Sequence, residues 1–531
     1  MIVLALRACA IASLFVLTGA GTASAESAPR AEATATKGET GQPALEESVN
    51  RRSSTSIRGK AVSYTATAGS LVIRDDRGLP IASVFYVGYT VNPNPGAAER
   101  PVTFLFNGGP GSSSVWLHLG SVGPLRVETP DVRPAGGGPF HLIANPDSIL
   151  DKTDLVFIDA IGTGFSHAIG NAQDKDFWGI DEDIDSFARA IVRWTRINQR
   201  WNSPKFILGE SYGGFRAAGL AATLQQRAFP LTGVILACPA VDLTLRNPNY
   251  DQFYASFLPS LAAVSWYHGH LTSRTTDLKA FLEEVRAYAL GAYITALTKG
   301  NELPDAERHA VARQLSLYTG LSEDFIVRSN LRIDFRRFRK ELLRGQGLTI
   351  GALDARYTGT DADTLGDVPE FDASEEAISG AYSVLLNEYL FKTLGYQSDR
   401  NYLLENGSIV QGGWNWIRKI PPAYYPWAAV PMTSDLSEAM RKNPRLRILT
   451  LLSYYDFASP FVETELELTH LQIDPSQRGN LTFAYYESGH MIYLDRASLH
   501  KMKDDLDSFL DSALRHSDPA LKTSTLSQAR Q

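Results

Sequence analysis

The chain has 531 residues, of which 44% are hydrophobic and 21% charged, with a formal charge of −7. That length accommodates a large catalytic domain with a second domain inserted in it, and the composition excludes wholesale disorder. The mild acidic balance, with no basic block and no basic–aromatic stripe, excludes a nucleic-acid partner.

The first residues read as an export signal, 1–25. Arg7 supplies positive charge, Ala8 to Gly19 is apolar, and Ala23-Ser24-Ala25 offers small residues for cleavage. The apolar run is too short to span a bilayer, and no later stretch is long and apolar enough to do so. A periplasmic or extracellular protein with no membrane span is the expectation. Of the two cysteines, Cys9 falls in the signal. Cys238 then has no partner, so the fold rests on its core rather than on a disulfide, and a thiol catalyst has little support.

Residues 26–58 are rich in Ala, Glu, Thr, Ser and Arg and are expected to form a disordered leader. Strands are predicted at Ala61–Thr67, Ser70–Arg74 and Ile81–Val91, separated by turn residues such as Asp75-Asp76-Arg77-Gly78. Strands and helices then alternate. Val102–Phe106 is an apolar run stopped by Asn107-Gly108-Gly109-Pro110-Gly111, and Leu155–Ile158 is another, stopped by Asp159. Ile184, Phe187, Ala188, Ile191 and Trp194 recur at helical spacing. Phe206–Leu208 leads into Gly209, with a helix from about Phe215, and Val234–Leu236 is the next buried strand. Short apolar strands alternating with helices predict an α/β fold, a mostly parallel sheet covered on both faces.

The alternation breaks over 243–431, where helical patterns at Leu278–Tyr293, Asp305–Tyr318 and Ser379–Leu394 predict an inserted, mainly helical cap. It resumes with strands at Leu446–Leu452 and Leu481–Tyr486 and an amphipathic helix near Asp495–Leu514. The predicted organisation is a core in two parts, 59–242 and 432–516, with a disordered tail over 517–531.

Gly209-Glu210-Ser211-Tyr212-Gly213-Gly214 fits Gly-x-Ser-x-Gly between a strand and a helix. In that setting the serine oxygen is pushed into the open at the carboxyl edge of the sheet, which is the geometry of an α/β-hydrolase nucleophile. A serine hydroxyl is a poor nucleophile at neutral pH and requires a base oriented by a carboxylate. Asp456 follows the Leu446–Leu452 strand and His490 follows Leu481–Tyr486, in the order Ser, Asp, His that this fold uses. Attack on a carbonyl creates an oxyanion that requires fixed N–H donors. The backbone of Tyr212, directly after Ser211, and of Gly109, in the loop after an earlier strand, are the predicted pair.

Four segments together resemble the serine carboxypeptidase family: Asn107–Ser114, Gly209–Gly214, Asp456-Phe457 and Gly489-His490-Met491, joined by Asp159–Ser166. The resemblance runs from about Gly59 to Leu514. It implies an α/β-hydrolase that removes single residues from peptide C-termini, without a cofactor. It further implies that Asn107, Glu210 and the N–H of Gly108 hold the substrate's terminal carboxylate. For Glu210 that role requires a shared proton, since two ionised carboxylates in contact repel.

The chain also departs from the family. Ser112 stands where a half-cystine is common and Ala160 where a proline is common. Ser121 falls where the family has a second Glu beside the one before the nucleophile. Without that second charge Glu210 is expected to ionise at lower pH than in a paired arrangement, unless burial replaces the lost effect. An esterase or acyltransferase using the same triad is the alternative reading, and a silent binding protein a further one. His268-Gly269-His270 lacks a third ligand at convincing spacing, so no metal is expected. Asn406 and Asn480 lie in glycosylation-type triplets. Trp414, Trp416, Tyr424, Tyr425 and Trp427 form an aromatic cluster suited to packing between cap and core, or to lining an acyl-side pocket.

Overall fold

The computed structural model describes residues 46–91, 99–271, 276–419 and 431–517. The predicted export signal lies outside these residues, as do Tyr424, Tyr425, Trp427 and the tail beyond Ser517. Among the described residues no helix is long and apolar enough to cross a membrane.

The main sheet opens with an antiparallel meander: β1 (Ser48–Ile57), β2 (Lys60–Arg74) and β3 (Pro80–Val91). This corrects the expectation of a disordered leader up to residue 58. Only Thr55 and Ile57 of β1 are buried, so its composition resembles that of a leader. Its order comes from a backbone ladder with β2, closed by a two-residue turn at Arg58-Gly59 with φ of 47° and 81°. β2 is also one strand rather than two. Gly69 does not break it, because the absence of a side chain lets Glu47 and Ser48 lie against it: a Cβ there would sit 2.8 Å from both.

Then come β4 (Val102–Phe106), β5 (Asp154–Ile158), β6 (Lys205–Glu210), β7 (Gly233–Ala237), β8 (Arg447–Ser453) and β9 (Leu481–Tyr486). These six are mutually parallel, and the spatial order across the sheet is β1-β2-β3-β5-β4-β6-β7-β8-β9. Alternate residues of each central strand feed opposite cores. Phe104, Phe106, Ile207, Val234 and Leu236 pack with α2 (Ile180–Ile197) and α3 (Tyr212–Gln226). Leu105, Phe206, Leu208 and Ile235 pack on the other face with Trp116 of α1 (Val115–Gly120) and with Leu506 and Leu510 near the chain's end. Burial on both faces is what makes these strands read as continuous apolar runs.

Between β7 and β8 the chain is mostly helical and covers two places. Helices at Asp251–Tyr267 and Leu278–Tyr288 close a third core with Leu452, Tyr455, Phe457 and Phe461, just past the end of β8. The helix Ala373–Asn387 instead crosses to the face carrying Trp116, and its Tyr382 packs on that ring at 5.0 Å.

Candidate active site

Four loops at the carboxyl ends of the parallel strands carry the predicted residues. Ser211 sits between β6 and α3 with φ 61° and ψ −127°, a backbone region that costs a non-glycine residue about 1–3 kcal/mol. Its N–H donates to Ala237 O at 3.0 Å and its carbonyl accepts from Gly214 N at 2.8 Å, so both neighbours hold the turn. Because Ser211 itself caps α3, that helix starts at Tyr212, three residues before the sequence signal. Two glycines make the turn possible by close approach. A Cβ on Gly209 would lie 1.9 Å from Gly213 O, and one on Gly108 would lie 2.5 Å from the nitrogens of both Tyr212 and Gly213. The second contact seats Gly108 of the Asn107–Gly111 loop directly against the first turn of α3.

Asp456 is fully buried. Its Oδ1 accepts from the N–H groups of Ala458 at 2.7 Å and Ser459 at 2.9 Å, and its Oδ2 lies 2.7 Å from His490 Nδ1. Burial works against the His490 imidazolium, but the charge and hydrogen bond of Asp456 outweigh it, and the imidazole pKa is raised. A short segment of the insertion ties the two loops together. Ala355 N donates to Tyr455 O, Phe457 N to Ala352 O, and His490 N to Leu353 O, at 2.9, 3.0 and 2.6 Å. Arg356 pairs with Asp354 at 2.7 Å and reaches Asp495 at 3.2 Å and Glu487 O at 3.1 Å. His268 belongs to this brace, its Nε2 being 2.8 Å from Ala355 O, while His270 Nε2 is 3.3 Å from the Gln346 amide.

Glu210, buried one residue before Ser211, accepts on Oε1 from Asn107 Nδ2 at 2.7 Å and from Tyr493 OH at 3.2 Å. Asn107 Oδ1 takes the Leu117 N–H at 2.9 Å, which fixes the orientation of that amide. Burial raises the Glu210 pKa to about 7, assisted by Asp456 and opposed by His490, Tyr493 and Asn107. The expected drop in its pKa is thus replaced by the exception named with it, desolvation. Ser121 is turned to its own helix, Oγ donating to Leu117 O at 2.6 Å.

Other residues hold this site, and of these Arg216 and Asp183 gave no clear sequence signal. Arg216, a lone charge on the apolar helix α3, donates to Asn107 O at 2.6 Å and Asp183 Oδ2 at 2.7 Å, with Phe187 4.2 Å from the guanidinium. Asp159 Oδ1 accepts from Ser114 N at 2.8 Å, linking the loop after β5 to the glycine loop. Trp414 and Trp416 pack edge-on against Tyr212 at 5.4 and 5.8 Å. The amides of Asn406 and Asn480 donate to Gly162 O and Pro444 O at 2.8 and 3.0 Å. Cys238 Sγ, an Asp456 oxygen and a His490 nitrogen lie within 4.8 Å of one another. The Asp456–His490 hydrogen bond already occupies two of these three groups, so they do not form an open ligand set.

The family model described as serine carboxypeptidase matches residues 62–300. That stretch contains the glycine loop and the Ser211 turn; Asp456 and His490 lie beyond it. The pheromone-processing carboxypeptidase KEX1 of Saccharomyces cerevisiae is 35% identical over 137 residues, 24% of this chain and 18% of that protein. Serine carboxypeptidase-like 26 of Oryza sativa subsp. japonica is 28% identical over 211 residues, 37% of this chain and 39% of that protein. The alignments therefore span about a fifth to two fifths of these relatives' length. The crystal structure of the Saccharomyces KEX1 carboxypeptidase superposes with a TM-score of 0.52 at 16% identity, covering 85% of this chain and 92% of that one. Together with the parallel sheet, that likeness makes the fold an α/β-hydrolase.

Proposed function

We propose that this chain, a relative of the serine carboxypeptidases with an α/β-hydrolase fold, is a serine-type carboxypeptidase acting on peptides with a free C-terminus. Ser211 is the nucleophile, His490 the base and Asp456 the carboxylate that orients it. The N–H groups of Tyr212 and Gly109 receive the oxyanion. Asn107, Gly108 and Glu210 read the substrate's terminal carboxylate. The catalytic core lies in two parts, 48–242 and 432–516, with the 243–431 segment as its cap, and the protein is exported.

The observation that carries this reading is the position of Glu210. A buried carboxyl bonded to Asn107 of the glycine loop sits one residue before a strained serine. A plain esterase has no use for a second buried carboxyl there. A carboxypeptidase does, because a neutral Glu210 donates a hydrogen bond to an incoming carboxylate where an ionised one repels it. In catalysis, His490 takes the Ser211 proton as its oxygen attacks the scissile carbonyl, and Asp456 stabilises the resulting imidazolium. The imidazolium then protonates the leaving amino acid, and water releases the acyl group by the reverse path.

Two measurements test the reading. A fluorophosphonate probe should label Ser211, and labelling elsewhere or nowhere would leave a silent binding protein. Matched peptides with free and amidated C-termini should differ in kcat/KM in favour of the free acid at mildly acidic pH. Equal rates would reassign the site to ester or acyl-transfer chemistry.

A further inference from the structure

We infer that Tyr493 is the positioning residue of the carboxylate-reading site, and that its hydroxyl, together with the Asn107 amide, confines the Glu210 proton to Oε2. This rests on the carboxypeptidase reading and specifies how its substrate's carboxylate is met.

The argument begins with donors. The Asn107 amide cannot be reversed without losing the Leu117 N–H bond to Oδ1, so Nδ2 faces Glu210. An amide N–H has no lone pair to offer, so Oε1 must accept from it, and because the carbonyl oxygen of a neutral carboxyl is the better acceptor the acid proton is favoured on Oε2. Tyr493 brings a second donor, its hydroxyl, to the same oxygen. Among the described residues no donor reaches Oε2. A neutral Glu210 with two donors on Oε1 therefore carries its proton on Oε2, free to meet an anionic group.

The space left by the missing second carboxyl explains how a tyrosine comes to fill this role. Gly120, beside Ser121, lies where a Cβ would be 2.5 Å from both Tyr382 OH and Tyr493 Cε2. Two buried tyrosine rings thus occupy the ground next to that helix end, one from the inserted segment and one from the loop after His490. Neither adds a charge to Glu210, whereas a second carboxylate would.

The groups that face Glu210 are His490, Asp456, Tyr493, Tyr382 and Cys238. Of these, the Tyr493 hydroxyl donates to the ionised carboxylate and favours it, so removing the hydroxyl must raise the pH at which Glu210 loses its proton.

The experiment is the ratio of kcat/KM for matched free-acid and amide peptides from mildly acidic to alkaline pH. The amide arm cancels the titration of His490. In the wild type the ratio falls as Glu210 ionises. In Tyr493→Phe the midpoint of that fall should move up by about 0.5–1 pH unit. Site-specific 3-fluorotyrosine at position 493 keeps the ring and is a stronger donor, so it should move the midpoint down, which covers the case of a poorly folding Phe variant. A wild-type ratio flat with pH overturns the carboxypeptidase reading and this inference with it. A wild-type ratio that titrates, with an unmoved midpoint in both altered proteins, overturns the role of Tyr493 alone.

Discussion

Two buried carboxylates flank Ser211, and their surroundings treat them in opposite ways. Asp456 is met by three N–H donors, two from the backbone turn after it and one from His490, which can itself become positive. Glu210 is met by two neutral donors on one oxygen, and burial lifts its pKa to about 7. Exposure is similar for both, so the contrast lies in their partners: Asp456 has more donors, spread over both oxygens, and one that can carry positive charge. That contrast supports the proposed roles of Asp456 as the acid that orients the base and of Glu210 as the carboxylate reader.

Removing the proposed nucleophile strips the comparison to its frame. Ser211→Ala should lower kcat by on the order of 10⁴-fold or more while leaving the melting temperature unchanged or raised, since the strained turn remains and one oxygen is lost. A variant with more than a tenth of wild-type activity would mean another residue attacks.

The anionic end is tested next. Asp456→Asn keeps the shape but removes the charge that supports the imidazolium, and should lower kcat by about 10⁴-fold. His490→Ala should do the same. The double variant should be hardly worse than either single one, because groups acting as one unit lose their effect once. Additive losses would show that the two residues act in separate steps.

Much of this end was legible in the sequence, and the reasons are local. Val102–Phe106, Leu155–Ile158 and Leu481–Tyr486 are short apolar strands that stop at turn residues, and the fold places its chemistry at such stops. Ser211 announced itself because its turn admits few residues: Gly209 and Gly213 are required by backbone atoms closer than any side chain allows. Tyr493 did not, because three residues after His490 a tyrosine reads as core, and only the folded chain brings it to Glu210. The strand Ser48–Ile57 was missed for the opposite reason. It is held by backbone pairing with β2, and its exposed Ser and Arg side chains look like those of a leader. The brace at Leu353–Arg356 was also hidden, since nothing in a polar stretch of an insertion marks it as the tie between the Asp456 and His490 loops.

Between the two carboxylates runs the support for Asn107, and Arg216 is its test. Arg216→Met should destabilise the protein by about 3–5 kcal/mol, because Asp183 is left buried and unpaired. Asp183→Leu combined with Arg216→Met should recover most of the melting temperature. The rate should not recover with it: Asn107 O loses its guanidinium partner in both proteins, and a loosened glycine loop should cost about 10–100-fold in kcat. Recovery of both together would make Arg216 a packing residue only.

The smallest expected effect falls on the neutral end and asks whether the proton there is used. In Glu210→Gln the side-chain oxygen still accepts from Asn107 and Tyr493, which places the amide nitrogen where Oε2 stood. That nitrogen donates at every pH. Wild-type Glu210 is a donor below its pKa of about 7 and a repelling anion above it. The free-acid preference should therefore fall in the wild type by up to about tenfold per pH unit above that point, and stay level in the variant. His490 must lose a proton for either substrate to react, so the raw free-acid profile of the wild type should be bell-shaped. Its alkaline limb should vanish in Glu210→Gln while its acidic limb remains. If the alkaline limb survives the substitution, some other group reads the carboxylate, and the contrast between the two buried acids has no bearing on substrate choice.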